Sequence, residues 1–418
     1  MTCFYSSNKY SSNRFYHSNN LCHTNTMGIP FKPLLLGLVF LFLSLPAMAM
    51  EKHTGILLAD DQGKILYSRN KDTKFIPASI LKIFTSLAAV KHFGMDHRFK
   101  TLYSYDKNSK HLYIKGFGDP LFISEVIKKM CQQISLTIDT KDINNIIIDQ
   151  DFFSENIQIP GTGNSLNPYD ATTGALCANF NTISFTQDPI SRDYISAEPQ
   201  TPLLPDFLKN IKASGQTRGR ILLSPEQRKN YPGQLIKFFL EIESKSKPLT
   251  PTFLKSRGQR FTFKSPFMLE QVIQKLLQHS NNFIANQLML TMGADKYSPP
   301  ATLNKGVKAL KIFAEEKLGL TNFQIEEGSG LSRKNRISPD EMLAILMKFM
   351  PYHTLLRHEG NEYYKTGTLS NVRTRAGFIQ GKDERLYPFV ILINQKNKNY
   401  NSIRRDLFQR VNMLTKDL

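Results

Sequence analysis

Three short polar strings in this chain carry residue types that together can perform acyl transfer. Ser79-Ile80-Leu81-Lys82 offers a hydroxyl with a lysine one helical turn later, and Ser280-Asn281-Asn282 offers a second hydroxyl and an amide. Lys365-Thr366-Gly367-Thr368 offers a cation on a strand-like segment. A serine hydroxyl attacks a carbonyl carbon only when a base removes its proton, and a lysine can be that base only in its neutral form. The three strings therefore predict a serine nucleophile that forms an acyl-enzyme.

The first two strings supply the predicted catalytic residues, which are Ser79, Lys82, Ser280 and Asn282. Ser79 and Lys82 are three positions apart, so on a helix their side chains lie on one face. Burial beside a second cation, for which Lys365 is the candidate, would lower the pKa of Lys82. Ser280 is expected to relay a proton from Lys82 to the leaving nitrogen, and Asn282 to hold Lys82 and donate to a substrate carbonyl.

The third string supplies the predicted substrate-binding residues, Lys365, Thr366, Gly367 and Thr368. Gly367 leaves room for close approach, so this strand can pair with an extended peptide. Lys365 and Thr366 are expected to bind the terminal carboxylate of that peptide. The backbone amides of Ser79 and Thr368 are the predicted oxyanion hole.

Taken singly, each string has a simpler structural explanation. Ser79 suits a helix N-cap, the second string a helix-ending turn, and the third a strand edge. Their occurrence in this order, each in suitable secondary structure, favours catalysis. His279 is interpreted as a helix-end residue, and because no metal-ligand spacing is present, neither a metal nor a cofactor is predicted.

Hydrophobic periodicity predicts the elements that position the strings. Apolar residues from Ile80 to Val90 recur at helical spacing, which places Ser79 at the start of a buried helix. Further helices are predicted from Ser265-Pro266 to Ser280, over 283–292 and 302–317, from the capping box at Ser338 to Phe349, and around 403–414. Strands are predicted over 55–60, 64–68, 363–368, 372–379 and 388–394.

These elements predict an α/β fold of the α+β type, in which both ends of the chain form one central antiparallel sheet flanked by helices. Residues 50–94 and 261–418 form the predicted catalytic domain. Residues 95–260, with short β-rich runs between Gly, Pro and Asn, are predicted as an inserted β-rich accessory domain. The last helix is expected to pack on the sheet rather than bind a membrane surface.

Residues 1–49 are predicted to be an export segment. The apolar run from Leu34 to Leu45 is too short to span a bilayer, and Pro46-Ala47-Met48-Ala49 is typical of a signal-peptidase site. Met27 is an alternative start, because it opens a more conventional signal peptide. The alternative interpretation is an uncleaved membrane anchor, whereas no later segment is long and apolar enough to span. We therefore expect an exported protein of the periplasm or cell envelope.

The chain is strongly basic, with a formal net charge of +19. Its lysines and arginines are scattered and no nucleic-acid-binding motif is present, so no nucleic-acid partner is predicted. Behind the export segment, Cys131 and Cys177 remain, and the sequence leaves open whether they form a disulfide or stay buried thiols.

Beyond the three strings, the chain resembles the class C low-molecular-mass penicillin-binding proteins, the D-alanyl-D-alanine carboxypeptidase/endopeptidase group of peptidase family S13. Pro77-Ala78 extends the first string as in that family, and Gly118-Asp119-Pro120 is similar to its Gly-Asp-Pro turn. An insert segment is also similar, at Pro168-Tyr169-Asp170-Ala171, Ala175-Leu176 and Asn179-Phe180-Asn181. The most specific string runs from Glu327 to Arg333 and continues with Asn335 and Ile337-Ser338-Pro339.

This resemblance implies a penicillin-binding/β-lactamase-like transpeptidase domain with inserted accessory lobes. It implies hydrolysis of D-alanyl-D-alanine or of D-alanyl cross-links in peptidoglycan stem peptides, with β-lactams as inhibitors. Three departures from the family pattern are Glu327 in place of Asp, Asn286 in place of an acidic residue, and a more basic Arg373-Thr374-Arg375. None of them lies in the three strings.

Two other functions stay open at this point. One is a catalytically inactive homologue that binds peptidoglycan, against which the intact strings argue. The other is a β-lactamase or esterase of the same fold, for which no additional general base stands out. The balance of carboxypeptidase and endopeptidase activity, the diamino acid of the stem peptide and the oligomeric state are not determined by the sequence.

Overall fold

A computed structural model describes residues 52–163, 171–241, 259–396 and 399–416. The predicted export segment and the Pro168-Tyr169-Asp170 part of the insert string lie outside these ranges. Within them, no helix is both long enough and apolar enough to cross a membrane.

The described residues contain strands and α-helices in a mixed order. The strands are β1 (Thr54–Ala59), β2 (Ile65–Arg69), β3 (Arg98–Asp106), β4 (His111–Gly116), β5 (Asn145–Asp149), β6 (Thr182–Gln187), β7 (Tyr194–Ser196), β8 (Arg218–Leu222), β9 (Arg260–Met268), β10 (Arg357–Glu359), β11 (Glu362–Leu369), β12 (Val372–Gln380) and β13 (Leu386–Ile393). The helices are α1 (Leu81–Phe93), α2 (Ser124–Thr137), α3 (Leu208–Ala213), α4 (Pro225–Phe239), α5 (Leu269–His279), α6 (Asn282–Tyr297), α7 (Leu303–Leu318), α8 (Pro339–Phe349) and α9 (Asn401–Leu414).

The central sheet has six antiparallel strands in the order β10-β11-β12-β13-β1-β2. Strand β1, near the beginning of the described chain, pairs with β13, near its end, and Thr54 lies opposite Ile393. The predicted single sheet built by both ends of the chain is therefore confirmed. Strand β10 was not predicted, because three exposed residues carry no hydrophobic alternation.

Helices cover both faces of this sheet. Successive residues of a strand point to opposite faces. Leu57 of β1 accordingly belongs to the large core shared with α1, α5, α6, α7 and α8. Leu58 belongs to a smaller core under α9, where it packs near Leu407 and Val411. The last helix thus packs on the sheet, as expected from its apolar stripe.

Most residues of a second hydrophobic core, from Tyr103 to Phe263, come from the segment predicted as an insert. This segment contains a four-stranded sheet in the order β5-β4-β3-β9 and a three-stranded sheet in the order β7-β6-β8. The segment predicted as β-rich also contains α2, α3 and α4. Strand β9 begins at the predicted boundary near residue 260 and pairs with β3 of the insert, so the insert's sheet extends to Met268.

The helix predicted to begin at Ser265-Pro266 starts later, which corrects that prediction. These two residues belong to β9, and α5 begins at Leu269. Pro266 is tolerated because the register of β9 shifts opposite Arg98–Lys100, where the ladder is irregular. A local proline signal cannot distinguish a helix start from such a bulge.

Cys131 and Cys177 are free thiols that lie buried in different hydrophobic clusters. Burial raises the pKa of each thiol to about 12. Of the two possibilities that the sequence left open, the structure has the buried thiols.

Candidate active site

Ser79 lies in a short 3₁₀ turn that leads directly into α1, so the helix proper begins two residues later than the periodicity predicted. The preceding residue, Ala78, has a left-handed backbone with φ of +48°, which is uncommon for a residue with a side chain. Two contacts hold this turn. The Thr374 hydroxyl donates to the Pro77 carbonyl at 2.7 Å, and Gly330 packs so closely that a Cβ there would lie 1.8 Å from the Ala78 carbonyl oxygen.

Lys82, in the first turn of α1, is fully buried and connects three parts of the chain. Its Nζ donates to the Ser79 Oγ at 2.9 Å, to the Asn282 Oδ1 at 2.7 Å and to the Ser329 carbonyl at 2.7 Å. The first two contacts join the first two predicted strings. The Ser329 contact was not predicted.

The electrostatics around Lys82 favour its neutral form. Burial lowers the pKa of Lys82 well below its ordinary value, and the charge of Lys365 lowers it further, whereas Glu327 opposes this shift. The pKa of Lys365 is itself lowered to about 7, first by burial and then by the charge of Arg357. Burial, reinforced by a second positive charge, thus lowers the pKa of Lys82 in the direction that a base requires.

The second string lies at the junction between α5 and α6. Ser280 ends α5 in a left-handed conformation, as predicted for the helix end. The Asn281 side chain then caps α6 by accepting from the Ile284 amide at 3.1 Å. Asn282 is the first residue of α6 and is buried. The cap thus fixes the start of α6, from which the Asn282 side chain contacts Lys82. Ser280 precedes Asn282 by two positions in the chain.

The third string lies on β11, directly beside the turn of Ser79. A Cβ on Gly367 would lie 2.7 Å from the Ser79 nitrogen and 2.2 Å from the Thr374 Oγ1, so only glycine fits. Lys365 is buried and its Nζ donates to the Thr366 carbonyl at 2.8 Å. Thr368 is exposed on the same strand.

One edge of β11 is available to a peptide. Strand β10 pairs only with residues 362–364, from Arg357 opposite Tyr364 to Glu359 opposite Glu362. Among the described residues, no strand pairs with 365–369 on that side. A peptide in extended conformation could therefore continue the line of β10 along the third string.

A buried carboxylate, that of Glu327, organises the loop beside Lys82. Glu327 accepts from the backbone amides of Ser329, Gly330, Leu331 and Ser332, from the Ser329 hydroxyl, and from the side chains of Asn286 and Asn335, at 2.5 to 3.2 Å. The Asn286 Oδ1 in turn accepts from the Gly328 amide at 2.8 Å. Two of the three departures from the family pattern, Glu327 and Asn286, therefore contact each other.

Replacing Glu327 by glutamine is expected to destabilise the protein by at least about 3 kcal/mol and to lower its catalytic activity strongly. The amide would face buried donors with a donor of its own and leave several of them without an acceptor. Urea unfolding and the rate of acylation measure the two effects. Glu326→Gln, at the half-buried neighbouring carboxylate, is the matched control and should change both little. Equal behaviour of the two variants would contradict the organising role.

A strained turn of the predicted insert packs against the start of α6. Asn179, Phe180 and Asn181 all have left-handed backbones, with φ of 48°, 59° and 53°. The Asn179 side chain is held inside the insert, where its Oδ1 accepts from the Ser124 amide at 2.9 Å. Phe180 packs edge-on against Phe283, with ring centres 5.5 Å apart. This turn supports the start of α6 from the insert side.

Phe180→Gly is expected to be more stable than Phe180→Ala by about 1 kcal/mol, because glycine adopts a left-handed backbone without steric cost. Both variants lose the same contact with Phe283, so the comparison isolates the backbone. Urea unfolding of the pair measures the difference. An alanine variant at least as stable as the glycine variant would contradict the strained conformation.

Across the described ranges, no group of three or more His, Cys, Asp or Glu side chains is arranged to hold a metal ion. The three strings bring hydroxyl, ammonium and amide groups to this region.

Comparison with known proteins shows where the chain has relatives. The model of the D-Ala-D-Ala carboxypeptidase 3 (S13) family matches residues 43–213 and 255–358. D-alanyl-D-alanine carboxypeptidase DacB of Haemophilus influenzae is 27% identical over 180 residues, which are 37% of either chain. A D-alanyl-D-alanine carboxypeptidase of an Actinomadura species is 32% identical over 89 residues, 20% of this chain and 16% of that protein. The matched part thus spans well under two thirds of these curated relatives.

Solved structures share the fold over a larger part of the chain. Penicillin binding protein 4 (dacB) from Haemophilus influenzae is similar with a TM-score of 0.67 and 19% identity, over 85% of this chain and 96% of that one. A predatory peptidoglycan endopeptidase from Bdellovibrio bacteriovorus is similar with a TM-score of 0.54 and 16% identity, over 87% and 92%. The same endopeptidase has been solved in a form acylated by penicillin G.

Proposed function

Because the chain belongs to the D-Ala-D-Ala carboxypeptidase 3 (S13) family, we propose that it is a serine-type D-Ala-D-Ala carboxypeptidase or D,D-endopeptidase of peptidoglycan stem peptides. The observation that carries this proposal is the buried Lys82 ammonium within hydrogen-bond distance of both Ser79 and Asn282. Ser79 and Lys82 belong to the first string and Asn282 to the second, and their meeting supports a nucleophile with its base and an orienting amide.

In the proposed acylation step, neutral Lys82 takes the proton of the Ser79 hydroxyl as the oxygen attacks the carbonyl carbon of the penultimate D-alanine. The backbone amides of Ser79 and Thr368 stabilise the oxyanion. Lys82 returns the proton through Ser280 to the leaving nitrogen, and the amide bond breaks. Water then hydrolyses the ester and restores the Ser79 hydroxyl.

The substrate is proposed to lie as an added strand along residues 365–369, with its terminal carboxylate at Lys365 and Thr366. The unpaired edge of β11 supports this placement, and so does the close approach of Gly367 to the Ser79 nitrogen. A β-lactam would place its own carboxylate and carbonyl at the same groups, so we propose acylation by penicillins as well. Asn282 would donate its amide to a substrate carbonyl while its oxygen holds Lys82.

Incubation with penicillin, followed by mass spectrometry of the peptides, tests this function. We expect a stable adduct on the peptide that contains Ser79. Digestion of purified peptidoglycan should release D-alanine from monomers, resolve cross-linked dimers, or do both, as analysis of the muropeptides by mass shows. Absence of both labelling and digestion would indicate an inactive homologue, and rapid release of the adduct would indicate a β-lactamase.

We also propose that the protein is exported to the periplasm or cell envelope, where its substrate is found. The sequence pattern of residues 34–49 supports export. Cell fractionation and sequencing of the mature N-terminus test this, with cleavage after Ala49 as the expected result. An intact N-terminus on a membrane-bound protein would favour the anchor instead.

A further inference from the structure

A groove lies where α1, α6, α7 and α8 come together near their C-terminal ends, and none of the three strings lines it. Its cavity volume is about 440 Å³, within the range of about 300 to 1,000 Å³ that is usual for small-molecule sites. The mechanism uses none of its lining residues. We call it the lysine-rimmed groove, because four lysines line it.

The floor of the groove is apolar. Leu87 of α1 and Met292 of α6 are buried in the main core and line the groove. Phe313 of α7 is half-buried and also faces it. A ligand that covers this floor would remove further apolar surface from water, which is favourable.

The rim of the groove is cationic. Lys91, Lys296, Lys317 and Lys348 line it, one from each of the four helices, and all four are exposed. Glu316 is the one acidic residue in the lining. The rim therefore favours an anion, and the apolar floor excludes a fully hydrated one.

The groove lies farther along two helices that also carry candidate catalytic residues. Lys82 and Lys91 lie on α1 nine residues apart, which is about 13 Å along a helix. Helix α6 likewise begins with Asn282 and carries Lys296 in its last turn. The two helices that carry catalytic residues at their first turns thus present the groove at their opposite ends.

We propose that the lysine-rimmed groove binds an anionic phospholipid of a membrane surface, with an acyl chain on the floor and the phosphate at the lysines. A free inorganic anion would contact the lysines but not the apolar floor. A neutral apolar molecule would contact the floor but gain nothing from the lysines. Binding of the phospholipid would hold the protein at the membrane surface. The proposal is independent of the chemistry at Ser79.

A structural explanation of the rim makes a different prediction. Lysines in the last turn of a helix stabilise it by interacting with the negative end of its dipole. If that were their whole role, their replacement would lower the melting temperature and leave lipid binding unchanged. Lipid binding and thermal stability therefore have to be measured on the same variants.

The test is the partitioning of the protein, as recovered from expressing cells, into phosphatidylcholine vesicles with and without phosphatidylglycerol. Lys317→Gln/Lys348→Gln should bind the phosphatidylglycerol vesicles about 25-fold more weakly than wild type, since each lysine near an anionic surface contributes about fivefold. Lys128→Gln/Lys129→Gln removes the same charge from an exposed part of α2 and should bind like wild type. All variants share one N-terminus, so their difference reports on the groove alone.

Salt separates acyl-chain insertion from surface attraction. At about 1 M salt the screening length is only about 3 Å, so purely electrostatic binding is lost. Wild type should retain measurable binding there, and Phe313→Gln should not. Equal binding of the rim variant and its control, or identical salt behaviour of Phe313→Gln and wild type, would overturn the proposal. Binding of an acidic peptide or a dissolved fatty acid at the groove without binding to vesicles would overturn it as well.

Discussion

Replacing Ser79 by alanine is expected to lower kcat for D-alanine release by about a millionfold, the scale seen when a serine hydrolase loses its nucleophile. It should also abolish covalent labelling by penicillin. Among the contacts that the structure describes, the Lys82 Nζ is hydrogen-bonded to no hydroxyl other than that of Ser79. No other hydroxyl is therefore placed to replace the Ser79 oxygen. Labelling with a fluorescent penicillin and release of D-alanine from a peptide substrate measure the two effects.

Ser86→Ala is the matched control for this experiment. Ser86 lies on the same helix, is fully buried and has no hydrogen-bond partner for its hydroxyl among the described residues. Its replacement should leave activity and labelling unchanged. Residual labelling of Ser79→Ala at the wild-type rate would show that another residue is the nucleophile.

Replacing Lys82 by glutamine is expected to come close to the effect of Ser79→Ala, with a loss of at least about ten-thousandfold in acylation. Glutamine can preserve some of the hydrogen bonds to Asn282 and Ser329 but cannot accept the proton of the serine. Lys91→Gln, near the other end of the same helix, is the control and should react with soluble substrates at the wild-type rate. Stopped-flow acylation by penicillin measures both variants, and a Lys82→Gln rate within tenfold of wild type would contradict the assignment of the base.

The same two lysines predict how activity depends on pH. Acylation needs Lys82 without its proton, so kcat/KM should rise with pH as Lys82 deprotonates. Carboxylate binding needs Lys365 with its proton, so kcat/KM should fall as Lys365 deprotonates, around its pKa of about 7. A bound substrate carboxylate raises that pKa, so the falling limb of kcat should lie at higher pH than that of kcat/KM. A pH series on wild type tests this, and coinciding limbs would contradict it.

The lowered pKa of Lys365 also makes the stability of the protein depend on pH. The pKa of Lys365 is about 7 in the folded protein, below its ordinary value of 10.5. Between these pH values the unfolded chain binds more protons than the folded one, so the contribution of Lys365 to the free energy of unfolding increases with pH through this window.

Much of the site could be predicted because its chemistry is carried by residue types at short spacings. Ser79 with Lys82, the helix end at Ser280, and the strand that carries Gly367 each depend on a few neighbouring residues, and local periodicity places them. Ser265-Pro266 shows the limit of such signals. The same two residues suit a helix start or an irregular strand, and pairing with a distant strand decided for the strand.

The sequence by itself determined which side chains could react and which local element would carry each of them. Only the tertiary structure decided that the Ser329 carbonyl would bind Lys82 from 247 positions away, that Glu327 would hold the loop around it, and that β10 would stop short of residues 365–369. The physical reason is that local elements follow from short-range sterics and periodicity. Contacts between remote segments depend on register and packing, which the whole chain sets together.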